Sequence, residues 1–422
     1  MMEPQRPIEE PAPNWSFHDD RETVVTEPHA RPSIPVGPQD LVLHLGLKCG
    51  EAAQLRLFEI LKIDPETINA RHWMKQCAVF RSKVEQHTEF TSITLLFPQT
   101  GDDASWTGLL AEIAAVNEVE IITLTKVVME GSSWNEDPSS PSDRRYYGGT
   151  MRGGMAVRST LIPDRAGFIT YHVHSPGGTP EATGRRVQRL IEMETYRTLC
   201  LLGLPLARRT GDRLAQNESR LINIVRSMGA EGSDDDERLF EALSRLLQSS
   251  NAERASTRYR FAASLAYYNL VQHRLTSLEE MELGSLQTIT GFVRSRLDPS
   301  MATIESVAER QKVLINDLSQ ALSLLRTRID LGLNRDNQQL LKSLDARNRQ
   351  QVLIAQTVEG LSAVAITYYA VGLLSYVLRA VDPVMPPYLP HAMLIAISVP
   401  FVLGAVWISL HRMRARWDKH SK

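Results

Sequence analysis

Cysteine is scarce: Cys49, Cys77 and Cys200 are the only three in 422 residues. They stand far apart and form no C-x-x-C pair, so no disulfide framework is expected and most of the chain is read as sitting in a reducing compartment. Aromatic residues are few, at 6%, which suits a helix-rich chain better than a β-sandwich. Neither sign of charge is in excess. The 47 Lys and Arg stand against 49 Asp and Glu, which excludes a chain-wide basic footprint for nucleic acid. The opening "MMEPQRPIEEPAPNW" has no apolar run, so no secretory signal peptide is expected. Neither G-x-S-x-G nor H-E-x-x-H occurs. "GGTMRGG" (Gly148–Gly154) lacks the Lys-Ser/Thr ending of a phosphate-binding loop and reads as a hairpin or flexible loop. No catalytic constellation is legible, and the expectation is a protein that is not an enzyme.

What the sequence does have is two long apolar runs near its end. "LSAVAITYYAVGLLSYVL" (361–378) carries no charge before Arg379. As a helix it is about 27 Å long, just enough for a hydrocarbon core of about 30 Å. "LPHAMLIAISVPFVLGAVWISL" (389–410) has His391 as its sole titratable group. Two buried helices of a soluble core are the alternative reading. Between the runs, Pro383, Pro386 and Pro387 stop helix growth and rigidify a reversal, and Tyr388 suits a headgroup layer. Arg412, Arg414, Arg416, Lys419 and Lys422 follow the second run; Lys342, Arg347 and Arg349 precede the first; the loop between carries Arg379 offset by Asp382. By the positive-inside rule both termini face the cytoplasm. The expected location is a bacterial inner membrane, spanned twice.

The rest divides by pattern. Residues 1–38 are a proline-rich arm, expected to be extended and to dock through Trp15 and Phe17. Residues 39–178 read as an α+β domain. "EAAQLRLFEILKI" and "TGLLAEIAAVNEV" have helical spacing, "AVFRSKVEQHTEFTSITLLFP" and "VEIITLTKVVME" alternate as strands, "WNEDPSSPSDRRYYGGTMRGG" is a loop, and a strand pair flanks Pro163–Gly167. Residues 179–299 are helical, with a break expected at Pro205. Over 300–360 a stalk helix is expected. In it Ile304, Val307, Gln311, Leu314, Leu318, Ala321, Leu325 and Ile329 recur at threes and fours as a coiled-coil seam, continued more sparsely by Leu333, Asn337, Leu341, Leu344 and Asn348. The fold class is therefore an α+β cytosolic head, a long helical stalk and a two-helix transmembrane hairpin (361–378, outer loop 379–388, 389–410) with a basic tail at 411–422.

This order of parts resembles the CorA-type magnesium channels. That resemblance implies a homo-oligomer, a pentamer by analogy, with the first span lining a pore. The family's Gly-Met-Asn tripeptide is missing: the matching place reads "SYVLRAVDPVM". The segments "EMETYRTLCLLGLPLAR", "HARP", "HTEF" and "ITYYAVGLLSYVLRAV" together resemble a bacterial family of membrane-anchored proteins known as a domain of unknown function. That second resemblance covers nearly the whole chain, implies membrane anchoring and supplies no reaction.

Four groups of residues are candidates for a site. Gln356, Glu359, Ala363, Thr367 and Ala370 share one helical face and are pore-lining candidates, the alternative being a solvated Glu359 beside small residues that pack helices. Asp234, Asp235, Asp236 and Glu237 could take a divalent cation such as Mg²⁺, or simply cap the next helix. His172 and His174 lie two apart on a strand, and metal binding there would need His87 or Cys77 as a third ligand. "ETYR" (Glu194–Arg197) reads as a polar helix face pairing charges across helices. The functional expectation is a membrane-anchored oligomeric sensor or scaffold without a cofactor, with the lipid bilayer and further copies of itself as partners. A divergent ion channel conducting through a bundle of first spans is the alternative.

Overall fold

The structure is a computed structural model. It describes residues 16–26, 33–63, 71–98, 103–131, 145–229, 235–381 and 391–418. The chain divides into two bodies: Met1–Ala230 with Arg238–Leu322, and Glu231–Glu237 with Ser323–Lys422. In chain order the elements are α1 (Arg21–Thr26), β1 (Asp40–Cys49), α2 (Glu51–Leu61), β2 (His72–Gln76), β3 (Arg81–Gln86), β4 (Thr91–Pro98), α3 (Asp103–Ala114) and β5 (Val119–Met129). There follow β6 (Tyr147–Met151), β7 (Met155–Ser159), β8 (Ile169–His174), α4 (Pro180–Leu201), α5 (Gly203–Met228) and α6 (Asp236–Leu278). The last are β9 (Met281–Glu282), α7 (Ile289–Val381) and α8 (His391–Asp418).

The first body is built on a nine-stranded mixed sheet, ordered β2-β3-β4-β1-β5-β8-β7-β6-β9. All its neighbours are antiparallel except β5 and β8. Strand β1, unassigned by the sequence reading, runs through the middle and pairs with both β4 and β5. Its leucines at every second position explain why. Leu43, Leu45 and Leu47 enter a buried cluster with Leu57, Phe58 and Leu61 of α2, Ile113 of α3, Trp73 of β2, and Ile93 and Leu95 of β4. Period two puts Val42 and His44 on the opposite face, under α4. Strand β2 was also missed, and β6 arises inside the stretch read as a loop. Gly153 and Gly154, at φ +79° and +77°, turn β6 into β7 as the hairpin reading requires. The Pro163–Gly167 turn is held by Asp164 Oδ1, which accepts from Ala166 N–H and Phe168 N–H, both at 2.9 Å.

Helices cover the α4 side in a second layer. Thr179 caps α4, its hydroxyl accepting from Ala182 N–H at 3.3 Å. The break before α5 falls at Leu202, and Pro205 sits harmlessly in the first turn of α5. The seam expected on α7 is buried from Ile304 through Leu325, and Thr257 of α6 donates to Gln311 within it at 3.2 Å. Glu280 accepts from Ile289 N–H and Thr290 N–H, capping α7.

The arm differs from expectation. It contains the short α1, and Phe17 is 58% exposed with Arg21 over its ring; Trp15 lies outside the described residues. The docked part is residues 33–37, where Ile34 and Val36 are buried and Val36 N–H donates to Pro180 O at 2.9 Å. Gly184 permits this: a Cβ there would come within 2.0 Å of Ile34 O.

In the second body the end of α7 is apolar and almost fully exposed, and by length and composition it is long enough to cross a membrane. The apolar stretch of α8, Met393–Ser409, is shorter. Residues 382–390, the proline-rich reversal, lie outside the described residues.

Gly184→Ala should push the 33–37 strap off α4 and lower stability by about 1–3 kcal/mol, the usual penalty of overpacking. Urea unfolding of the detergent-solubilised chain measures the loss, and faster proteolytic cleavage near Ser33 reports strap release. An unchanged midpoint would mean that the strap yields freely.

Candidate functional site

Two polar clusters flank the sheet, one buried and one open. The buried one is built by "ETYR" on α4. Glu194 has no exposed surface; Tyr171 of β8 donates its hydroxyl to Oε2 at 2.6 Å, and Arg197 one turn on pairs with both carboxylate oxygens. Burial, with Glu194 beside it, holds the Tyr171 phenol well above its usual range, so it stays a donor. The Glu194 carboxylate likewise pushes Arg197 further up, against the effect of burial. Thr195 donates to Ile191 O at 2.9 Å, so its oxygen must accept from His44 Nε2–H at 3.1 Å. His44 Nδ1 then accepts from Thr94 at 2.9 Å. Tyr196 stacks on Tyr267 of α6. The tetrapeptide does pair charges, but within its own helix; its other partners are β1, β8 and α6.

Burial first, then His87 and Lys83 nearby, lower the His44 pKa to about 3. Nearby, Lys83 and Glu85 form a buried ion pair at 3.2 Å. Cys200 is equally enclosed, 3.0 Å from Met301 Sδ, and burial pushes its thiol up to about 12. A thiol held that high is no nucleophile at neutral pH.

The open cluster lies on the other face, beyond the end of α3. Lys126 pairs in register with Thr170, and Val128 with His172, across the parallel β5–β8 ladder. Arg158 of β7 stands opposite His172 on the far side. Glu130 ties the group together. It accepts from His172 Nδ1–H at 2.5 Å and from Arg158 Nη2 at 2.9 Å, while His174 Nδ1–H donates to its main-chain oxygen at 2.9 Å. His172 also lines a hollow of about 530 Å³ with Lys126, Val128, Tyr146, Ile162 and Thr170.

The remaining candidates fall as follows. His172 and His174 share the expected face, but both are committed to Glu130. Cys77 and His87 adjoin β3, four strands away or about 19 Å. Among the described residues no three His, Cys, Asp or Glu side chains converge as a metal site. Asp234 lies outside the described residues. Asp236 and Glu237 open α6, and Asp236 pairs with Arg328 at 3.0 Å. Of the face on α7, Gln356 is exposed, Glu359, Ala363 and Ala370 are half-buried and Thr367 is buried. Thr367 lines a hollow between α7 and α8 with Val364, Tyr368, Ile395, Val399 and Leu403. Sequence reasoning missed Lys126 on β5, Glu130 just after it and Arg158 on β7, because period-two alternation gives no reason to single out one charge on a half-open face.

A depressed imidazole makes stability pH-dependent. Unfolded, His44 titrates near 6.5; folded, near 3. Its contribution is complete above pH 6.5 and is lost as pH falls toward 3, at about 1.4 kcal/mol per unit. Urea unfolding at pH 7.5, 6.0 and 5.0 should therefore show a steeper acid loss in the native chain than in His44→Gln. Parallel curves would remove His44 as a source of acid lability.

No curated protein and no solved structure matches the chain, and neither comparison supports the likeness to the CorA-type channels. Residues 16–417 match the model of the family described as Protein of unknown function (DUF3422), and the chain belongs to that family.

Proposed function

We propose that this is a membrane-anchored, self-associating protein whose α/β head acts in the cytosol as a sensor or scaffold. One observation carries the reading. Beyond Ile329, helix α7 has apolar side chains with nothing over them. Leu333, Leu340, Leu341 and Leu344 are 58%, 60%, 66% and 54% exposed, whereas Leu325 is fully buried. Leu333, Leu340 and Leu344 share one face at heptad spacing, with Asn337 on the same stripe. A helix with such a stripe gains by pairing, and a second copy offers an identical stripe in register. Asn337 and Asn348 are the polar seam residues that fix register and copy number in such bundles.

The stripe runs directly into the apolar end of α7. Leu361, Val364, Tyr368 and Leu373 there are more than half exposed, a surface suited to hydrocarbon. In this reading α8 returns through the bilayer. The basic groups after it and before α7's apolar end hold both termini on the cytoplasmic side of a bacterial inner membrane. A second reading, ion conduction through a bundle of first spans, is favoured by one feature: the polar Gln356, Glu359 and Thr367 share a face with the small Ala363 and Ala370. Ion flux in proteoliposomes separates the two.

In detergent the native chain should run as an assembly of several copies by light scattering. Leu340→Asp with Leu344→Asp should reduce it to a monomer while circular dichroism and carbonate-resistant membrane association persist. A monomeric native chain at micromolar concentration, or a chain released by carbonate, would overturn the proposal.

A further inference from the structure

We propose that the open hollow over β5 and β8 binds a small organic oxyanion, a carboxylate or phosphate, through Lys126 and the hydroxyls around it, with the Nε2 edge of His172 alongside. The charges around the hollow are almost all spoken for. Glu130 is shared by His172 and Arg158. Asp164, at the rim, accepts from Ala166 N–H and Phe168 N–H of its own turn. Lys126 is the exception: among the described residues it makes no ion pair, and its ammonium rests 4.7 Å from the centre of the Trp106 ring. A half-buried cation on an aromatic face is held in place while its N–H donors stay available.

His172 is oriented for the same ligand. An ionised carboxylate only accepts, so the Glu130 bond assigns the proton to Nδ1 and leaves Nε2 on the hollow side as an acceptor for a hydroxyl of the ligand, beside the charge that Lys126 holds. The ladder register places Lys126 and His172 on adjacent same-face rungs, close enough for both to reach one bound group. The hydroxyls of Tyr146, Thr160 and Thr170 complete a lining rich in donors, and Val128 and Ile162 add an apolar wall. Donors around a fixed cation suit an oxyanion; the wall and a volume of about 530 Å³ suit an organic body attached to it.

The inference goes beyond the membrane-scaffold reading and stands on the first body alone, so a monomeric chain would leave it intact. Isothermal titration of the detergent-solubilised full chain with inorganic phosphate and, separately, with butyrate tests it. Saturable binding of at least one probe is expected, and which one binds names the headgroup. Lys126→Ala should weaken binding about tenfold, the loss of one charge-assisted hydrogen bond. Lys126→Arg should keep it within a few-fold, and Arg185→Ala with Arg189→Ala, at a separate surface hollow, should leave it unchanged. Binding of neither probe at millimolar concentration would overturn the proposal. So would equal affinity in Lys126→Ala, or loss of affinity in the Arg185 and Arg189 variant.

Discussion

A carboxylate without access to water constrains the first body more than any apolar contact. Glu194 is tolerable only while Arg197 and Tyr171 both hold it; stripping one partner from a buried ionic group costs about 3–5 kcal/mol. Arg197 travels with the helix, but Tyr171 belongs to β8, so the pairing fixes where α4 lies along the sheet. Thr195 adds a second fixed point on β1 through His44. Successive helical residues step round by about 100°, so Glu194, Thr195, Tyr196 and Arg197 point all round the axis. Each finds a partner because α4 is sandwiched between the sheet and the outer helices.

The same logic extends outward. Glu89, in the turn between β3 and β4, pairs with Arg260 of α6 at 3.2 Å, while His87 stacks on Phe90 in the same turn. "HTEF" and "ETYR", two of the segments by which the sequence resembles its family, thus hold the sheet against the helical layer. Gly203 lets α5 approach closely, since a Cβ there would meet Ser264 Oγ at 2.4 Å with Ile304 just beyond. The structure spends these segments on assembly of the head, and its open polar face lies elsewhere.

What could be read from the sequence followed repetition. The α7 seam repeats over about six turns, and its members from Ile304 to Leu325 are buried as the spacing implies. β7 and β8 were legible because Pro163 and Gly167 mark the turn between them. β1 has equally regular leucines, yet His44 and Gly46 interrupt its apolar character, and only the structure shows His44 satisfied by two threonines. β9 is two residues long and exists because the α6–α7 turn lies beside β6; no local signal encodes it. The open cluster was illegible for a related reason. Glu130, Arg158 and His172 are 14 to 42 positions apart in sequence and meet only through strand order.

The change of stripe along α7 separates two kinds of packing. From Ile304 to Leu325 the steps alternate between three and four, and that face is buried. From Leu325 to Asn337 three successive steps of four carry the pattern forward, so that Leu333, Leu340 and Leu344 lie roughly a quarter turn away. A single uninterrupted heptad would have offered one face to both the chain's own helices and any other copy, and the two would compete. The shift removes that competition: the buried run of the seam ends at Leu325, and a differently directed, exposed face begins beyond Ile329. In the proposed assembly, head folding and self-association would therefore draw on separate residues of one helix, and copies could associate without loosening the sheet that carries the open hollow.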